Sequence, residues 1–170
     1  MKKTIVLLLG ILIISNGIWS YMYFNSVDKS SNIEVQVYTL NGTGEKWNIT
    51  DYKIIISPNK ILRGHGNLAY KGDPTDIENS TYYKLEFKET NPYGKYETVY
   101  ANVGSSKGGP VSILADLNDT GSIKSEYSYD ELQKDRQNYE STTLTITWND
   151  NEGEFHSEII NLSIDNDMHI

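Results

Sequence analysis

The chain has 170 residues, no cysteine and a formal net charge of −8. Without cysteine there is no disulfide, no thiolate nucleophile, no Cys-ligated zinc and no Cys-attached lipid. Lys2 and Lys3 precede the first apolar run, so the rest of the chain carries 13 basic against 23 acidic side chains. That balance opposes nucleic acid and anionic lipid, because each phosphate contact needs a Lys or Arg.

The first predicted element is the apolar run from Thr4 to Phe24, 21 residues without a charge. At 1.5 Å per residue it reaches about 30 Å, the thickness of a bilayer's hydrocarbon core. Trp19, Tyr21, Tyr23 and Phe24 gather at its outer end, where amphipathic rings favour the headgroup layer. Small residues suited to a signal peptidase are confined to Ser15 with Gly17 and, less well, Ile18 with Ser20. The expectation is an uncleaved N-terminal transmembrane helix, residues 1–24, that contacts the membrane through residues 4–24. Lys2 and Lys3 keep its N-terminus cytoplasmic and place the C-terminal domain outside. Cleavage would instead give a secreted domain.

Residues 25–32, "NSVDKSSN", are polar and aperiodic and read as a linker. A β domain is expected over 33–165, with 166–170 as a loose tail. In "IEVQVY" Ile33, Val35 and Val37 alternate with polar residues. In "TLTITW" Leu144, Ile146 and Trp148 alternate with threonines. Further strands are predicted at Trp47–Ser57, Gly66–Lys71, Tyr82–Lys88, Tyr96–Val103, Val111–Leu114 and Phe155–Ile164, separated by Gly, Pro, Asn and Asp clusters. "WNDNEG", Trp148 to Gly153, reads as a hairpin loop with Gly153 free to take positive φ. Beyond it the apolar positions change from odd (Phe155, Ile159) to even (Ile160, Leu162, Ile164), which predicts a β-bulge near Ser157–Ile160. One short helix is predicted in "SYDELQKDRQNYE", with Ser128 as cap, Glu131 reaching back to it, and Leu132 and Tyr139 on one face. The sum is a mainly β chain: an antiparallel β-sandwich, immunoglobulin-like in general plan, with one short helix and a preceding transmembrane helix.

The runs "GTGEKWNITDYKIIISP", "GHGNLAY" and "TLTITWNDNEG" resemble a group of small membrane-anchored or exported proteins of Bacillus-like Gram-positive bacteria that carry no assigned function. The shared pattern is a Trp five residues before a Tyr, then alternating Ile or Val, here Trp47, Tyr52, Ile54 and Ile56. The resemblance spans most of residues 33–164 and implies location and fold, with no activity.

With three histidines, acid-base and metal proposals are few. Strand periodicity puts Glu154, His156 and Glu158 on one face, a candidate divalent-metal set; the plainer reading is a solvated strand face. Asp116, Asn118 and Asp119 of "DLNDTGS" begin like a calcium loop, but position five is Thr120 and position twelve is Tyr127 where a bidentate Glu is required. Calcium would then need carboxylates pooled from other turns, such as Asp73, Asp76, Asp150 and Asp165, and a turn is the simpler reading. No Ser sits in a nucleophile elbow. "VGSSKGGP" has the Lys before its glycines and no following helix, unlike a phosphate loop. Tyr82, Tyr83, Tyr96 and Tyr100 would make an aromatic platform if exposed together, although core packing is the commoner use of strand tyrosines.

The expected function is a non-enzymatic binding or structural module at the cell surface. Its partner would be an unknown protein or cell-envelope component, with no nucleic acid and no cofactor apart from the calcium option. Two alternatives stand beside it: a small extracytoplasmic hydrolase using His65 or His156, and a calcium-stabilised spacer. A concave pocket that brings either histidine to a carboxylate favours the hydrolase; two histidines on separate flat faces favour the module.

Overall fold

A computed structural model of the chain describes residues 10, 12–22 and 34–169. The chain divides into two compact units, Met1–Glu34 and Val35–Ile170. In the first, residues 12–22 are helical. No helix among the described residues is long and apolar enough to cross a membrane. Residues 4–9, 11 and 23–24 of the expected span, and the expected linker 25–32, lie outside the described residues.

The second unit is built from ten described strands. They are β1 (Gln36–Thr43), β2 (Trp47–Ser57), β3 (Lys60–Gly64), β4 (Asn67–Tyr70), β5 (Tyr82–Thr90), β6 (Tyr96–Ser105), β7 (Ser122–Ser125), β8 (Thr143–Asn149), β9 (Phe155–Asn161) and β10 (Ser163–His169). They form two antiparallel sheets, one ordered β10-β1-β2-β3-β7 with β4 also paired to β2, the other β6-β5-β8-β9. The chain is mainly β with few short helices, the plan of a β-sandwich. Period-two alternation drives it. On β8 Leu144 and Ile146 are fully buried between half-buried threonines, and on β5 Leu85 and Phe87 are buried between Lys84, Glu86 and Lys88. The inner faces meet where the Tyr52 ring of β2 lies over the Phe87 ring of β5, centroids 4.1 Å apart and 7° from parallel.

Several expectations are corrected. Ile113–Asp116 is a single helical turn rather than part of a strand. The pairing of β8 with β9 runs without a register shift, so the predicted bulge near Ser157–Ile160 is not there. Ile160 and Leu162 face the core on even positions throughout, while Phe155 and Ile159 stand on the outer face, 66 % and 68 % exposed. The predicted long strand Phe155–Ile164 breaks at Leu162 and passes from one sheet to the other. Residues 166–169, expected in a loose tail, belong to β10 and pair with β1. The predicted helix at 128–140 resolves into a 3-10 turn, Glu131–Gln133, and a short helix, Arg136–Glu140. The helix is capped by Asp135 with Asn138 in a reciprocal box, not by Ser128 with Glu131. Leu132 is exposed, and Tyr139 alone faces the core.

Glu131 has a different task. Its carboxylate accepts from Arg63 at 3.1 Å and from the Tyr129 amide at 2.7 Å. Arg63 also makes a two-pronged contact with Glu89, at 2.6 and 2.8 Å, and Lys134 donates to the same carboxylate at 2.7 Å. All four charged heads are out of solvent. This network joins β3 of one sheet, β5 of the other and the crossover between β7 and β8. Burial pushes Glu89 towards neutrality, but the hydrogen bonds and charge of Arg63, helped by Lys134, outweigh it and hold Glu89 below the ordinary carboxylate value.

Candidate functional site

The hairpin between β8 and β9 builds the site. Asp150 begins the turn: its Oδ1 accepts from the amides of Glu152 and Glu154, both at 2.9 Å, and its backbone closes on Glu154 and Gly153. Gly153 takes φ +87°, the left-handed conformation foreseen for it. The ladder then sets Trp148 opposite His156, and their rings stack with centroids 5.5 Å apart. His156 Nε2 meets Asp150 Oδ2 at 2.8 Å. That hydrogen bond, together with the two amides, holds the Asp150 carboxyl below its usual range.

A second loop is clamped to this hairpin. Asn151 donates to the Thr75 carbonyl at 2.6 Å, accepts from the Asn79 amide at 2.8 Å and bonds the Asp76 carbonyl through its own amide at 3.2 Å. The clamped segment is a 3-10 turn, Pro74–Asp76, whose Asp73 cap accepts from the Thr75 amide at 3.0 Å. Below lies an aromatic cluster: buried Trp47 is 4.9 Å from Tyr70 and 5.8 Å from Trp148, ring centre to ring centre.

Between hairpin, clamped turn and aromatic cluster is a pocket of about 310 Å³. Tyr70, Trp148 and Ile77 give it an apolar wall, and Lys46, Asp76, Asp150, Asn151, Glu152 and His156 supply its polar groups. Among the described residues, the carboxylates of Asp76 and Glu152 and the ammonium of Lys46 make no hydrogen bond or ion pair, whereas Asp150 already accepts three hydrogen bonds. Burial and the carboxylates of Asp76, Asp150 and Asp73 raise the Tyr70 hydroxyl, so it stays protonated as a donor.

The expected sites map onto this geometry unevenly. Of the set Glu154, His156 and Glu158, only His156 lines the pocket; the Glu158 carboxylate instead accepts from the amides of Glu45 and Lys46, and Glu154 is exposed. Asp119 spends one oxygen on the Gly121 amide at 2.8 Å, an Asx turn, and sets the other 3.4 Å from His65 Nδ1 on an open surface. Asp116 ends its helical turn and Asn118 is exposed. Among the described residues no group of three or more His, Asp or Glu side chains is placed to hold a metal ion. Of the carboxylates considered for pooling, Asp76 and Asp150 meet at the pocket, Asp73 caps the turn beside it, and Asp165 is on β10. The four tyrosines do not form a platform: Tyr83 and Tyr100 are buried, Tyr96 is exposed, and Tyr82 packs edge-on against Phe155 on the outer face.

Lys46, Tyr70, Trp148 and Glu152 were not legible as site residues, and Asp76 only as a pooled calcium carboxylate, because they come from separate strands and loops that the sequence does not place together. One signal was present. An Asp at the first turn position and a His on the returning strand are brought face to face once the hairpin register is known. No family model, curated protein or solved structure matches the chain.

Proposed function

We propose that the chain is a binding module displayed outside the cell, held to the membrane through residues 4–24, with the hairpin pocket as its ligand site. The fold that goes with this reading is a sandwich of immunoglobulin-like general plan behind a transmembrane helix. One observation carries the binding role: an aromatic wall faced by the unpaired groups Asp76, Glu152 and Lys46 in a pocket large enough for one ring. The lining is mostly polar, with two aromatic rings in its apolar wall, and converging polar groups of this kind orient a small ligand. Two unpaired carboxylates against one ammonium favour a ligand that carries hydroxyls and a positive charge, of the amino-sugar type.

Titration of the full chain in detergent with glucosamine, followed by tryptophan fluorescence, should give saturable binding. Asp76→Asn or Glu152→Gln should weaken it about tenfold or more, since hydrogen bonds to charged groups contribute about 1.5–3 kcal/mol. Neutral N-acetylglucosamine should bind less well, and Lys124→Gln on β7 should change nothing. Absence of a signal with both sugars at millimolar concentration rejects the ligand class.

The His156–Asp150 pair supports a second reading, a small hydrolase, because a concave pocket does bring a histidine to a carboxylate. Among the described residues no Ser or Thr lines the pocket, so water would be the nucleophile, His156 the base and Asp150 its orienter. Hydrolysis of nitrophenyl esters or glycosides that His156→Gln abolishes while glucosamine binding survives would establish the enzyme; binding without turnover leaves the module.

The location rests on the uncharged run 4–24 behind Lys2 and Lys3. Expressed cells should retain the whole chain in the membrane fraction, with Met1 at its N-terminus. A soluble product starting at Ile18 or Tyr21 would show a cleaved signal and a secreted module instead.

A further inference from the structure

The two sheets end in five edge strands, and four of them are blunted; β4, which pairs with β2 alone, is only four residues long. The pairing of β6 carries a register shift opposite Phe87 and Lys88. β7 is four residues long and includes Lys124. β10 pairs through a register shift and carries Asp165 and Asp167, the latter 2.9 Å from Arg136. Bulges, shortness and charge are the devices that keep a sheet edge from pairing with another chain. β9 has no bulge and no Lys, Arg or Pro over seven residues, its one carboxylate, Glu158, is taken by the amides of Glu45 and Lys46, and among the described strands it pairs with β8 alone. Its outer face carries two large exposed apolar side chains, Phe155 and Ile159.

We infer that β9 is the contact between two copies of this chain, paired antiparallel about a two-fold axis at Ser157. Side chains facing each other across a continuous sheet lie on the same face, so only registers centred on a residue are open. Centring on Glu158 sets Glu158 against itself. Centring on His156 sets Glu154 against Glu158 of the second copy. Centring on Ser157 sets Phe155 opposite Ile159 of the second copy and His156 opposite Glu158 of the second copy, each pair twice by symmetry. Like meets like in apolar character, and no carboxylate faces another. The outer face then carries one uninterrupted row: Tyr82 touches Phe155 at 5.5 Å between ring centres, Phe155 meets Ile159 of the second copy, and Ile159 sits beside Thr145 in its own ladder. Each such cross-strand pair is a recognised unit of sheet stabilisation. Because His156 also lines the pocket, pairing brings the two pockets to either side of the axis.

A chain without cysteine allows a clean test. Residues directly opposed across an antiparallel pair have Cα atoms about 4.5–5.5 Å apart, within disulfide reach. The full chain with Ser157→Cys, in detergent micelles under mild oxidation, should convert to a disulfide-linked dimer. Ser105→Cys, exposed on the β6 edge, should stay at background, and adding Ile159→Lys to Ser157→Cys should suppress the dimer. Independently, light scattering of the unmodified chain should give twice 19.3 kDa of protein per micelle, falling to a single copy with Ile159→Lys. A mass of one copy at every concentration reached, or cross-linking at Ser157 no faster than at Ser105, overturns the inference and leaves β9 to a strand of a different protein.

Discussion

Replacing Arg63 by methionine should lower the free energy of unfolding by about 3–5 kcal/mol, because removing one partner leaves buried charge uncompensated. Glu89 would keep only Lys134, and Glu131 only the Tyr129 amide. Converting the whole set to apolar residues, Arg63→Met with Glu89→Leu, Glu131→Leu and Lys134→Met, should recover most of that loss, since a buried ion cluster is seldom more stable than well-packed hydrocarbon. Urea unfolding followed by circular dichroism measures both. A loss under about 1 kcal/mol for the single change would mean that water reaches the network in solution. The pH dependence follows from Glu89. Its folded pKa lies below its ordinary value, so the unfolded state binds the proton more readily. The stabilisation is therefore complete above pH 4.5, the ordinary glutamate value, and fades as the pH falls through the folded pKa. Arg63→Met should flatten this acid limb.

Trp47→Ala should cost about 3–5 kcal/mol, the range for deleting a buried aromatic side chain. Trp47 is fully buried, opposes Tyr70 in the β2–β4 ladder and contacts Trp148 across the sandwich. Its loss removes the support under both rings that wall the pocket. Glucosamine binding should therefore weaken even at temperatures where the variant remains folded. Trp47→Phe keeps a ring in place and should lose less on both counts. Binding unchanged in a folded Trp47→Ala protein would show that the wall does not depend on its underlayer, and would move the ligand site away from Tyr70 and Trp148.

The alternation of apolar and polar residues was a sufficient guide wherever one face of a strand is wet. The predicted strand Trp47–Ser57 is β2 to the residue, and the alternating threonines of "TLTITW" mark β8. Local signals failed in three places for separate physical reasons. "KILRG" was not among the predicted strands, and its inward alternation is completed by Arg63, which is buried by partners 26 and 68 residues away in sequence. Phe155 and Ile159 suggested a change of parity, since apolar side chains were assumed to face inward; they stand on the outer face instead. Glu131 looked like a capping residue because its spacing from Ser128 is right, but an ion network formed by tertiary contact outbids a local hydrogen bond. The candidate site was half visible. His156 was singled out, while its true partner Asp150 lay hidden until the hairpin closed.

The pairing of β1 with β10 has a mechanical consequence. Gln36 lies opposite His169, so the polypeptide enters and leaves the sandwich side by side. Antiparallel ladder bonds run perpendicular to the strands. Tension between the two ends would load them one pair after another, like a zipper opened from its tab, instead of all together in shear. Such a domain yields to a pull at its ends by peeling β10 first, and because β9 follows β10 through Leu162 alone, the next strand to feel the load belongs to the opposite sheet.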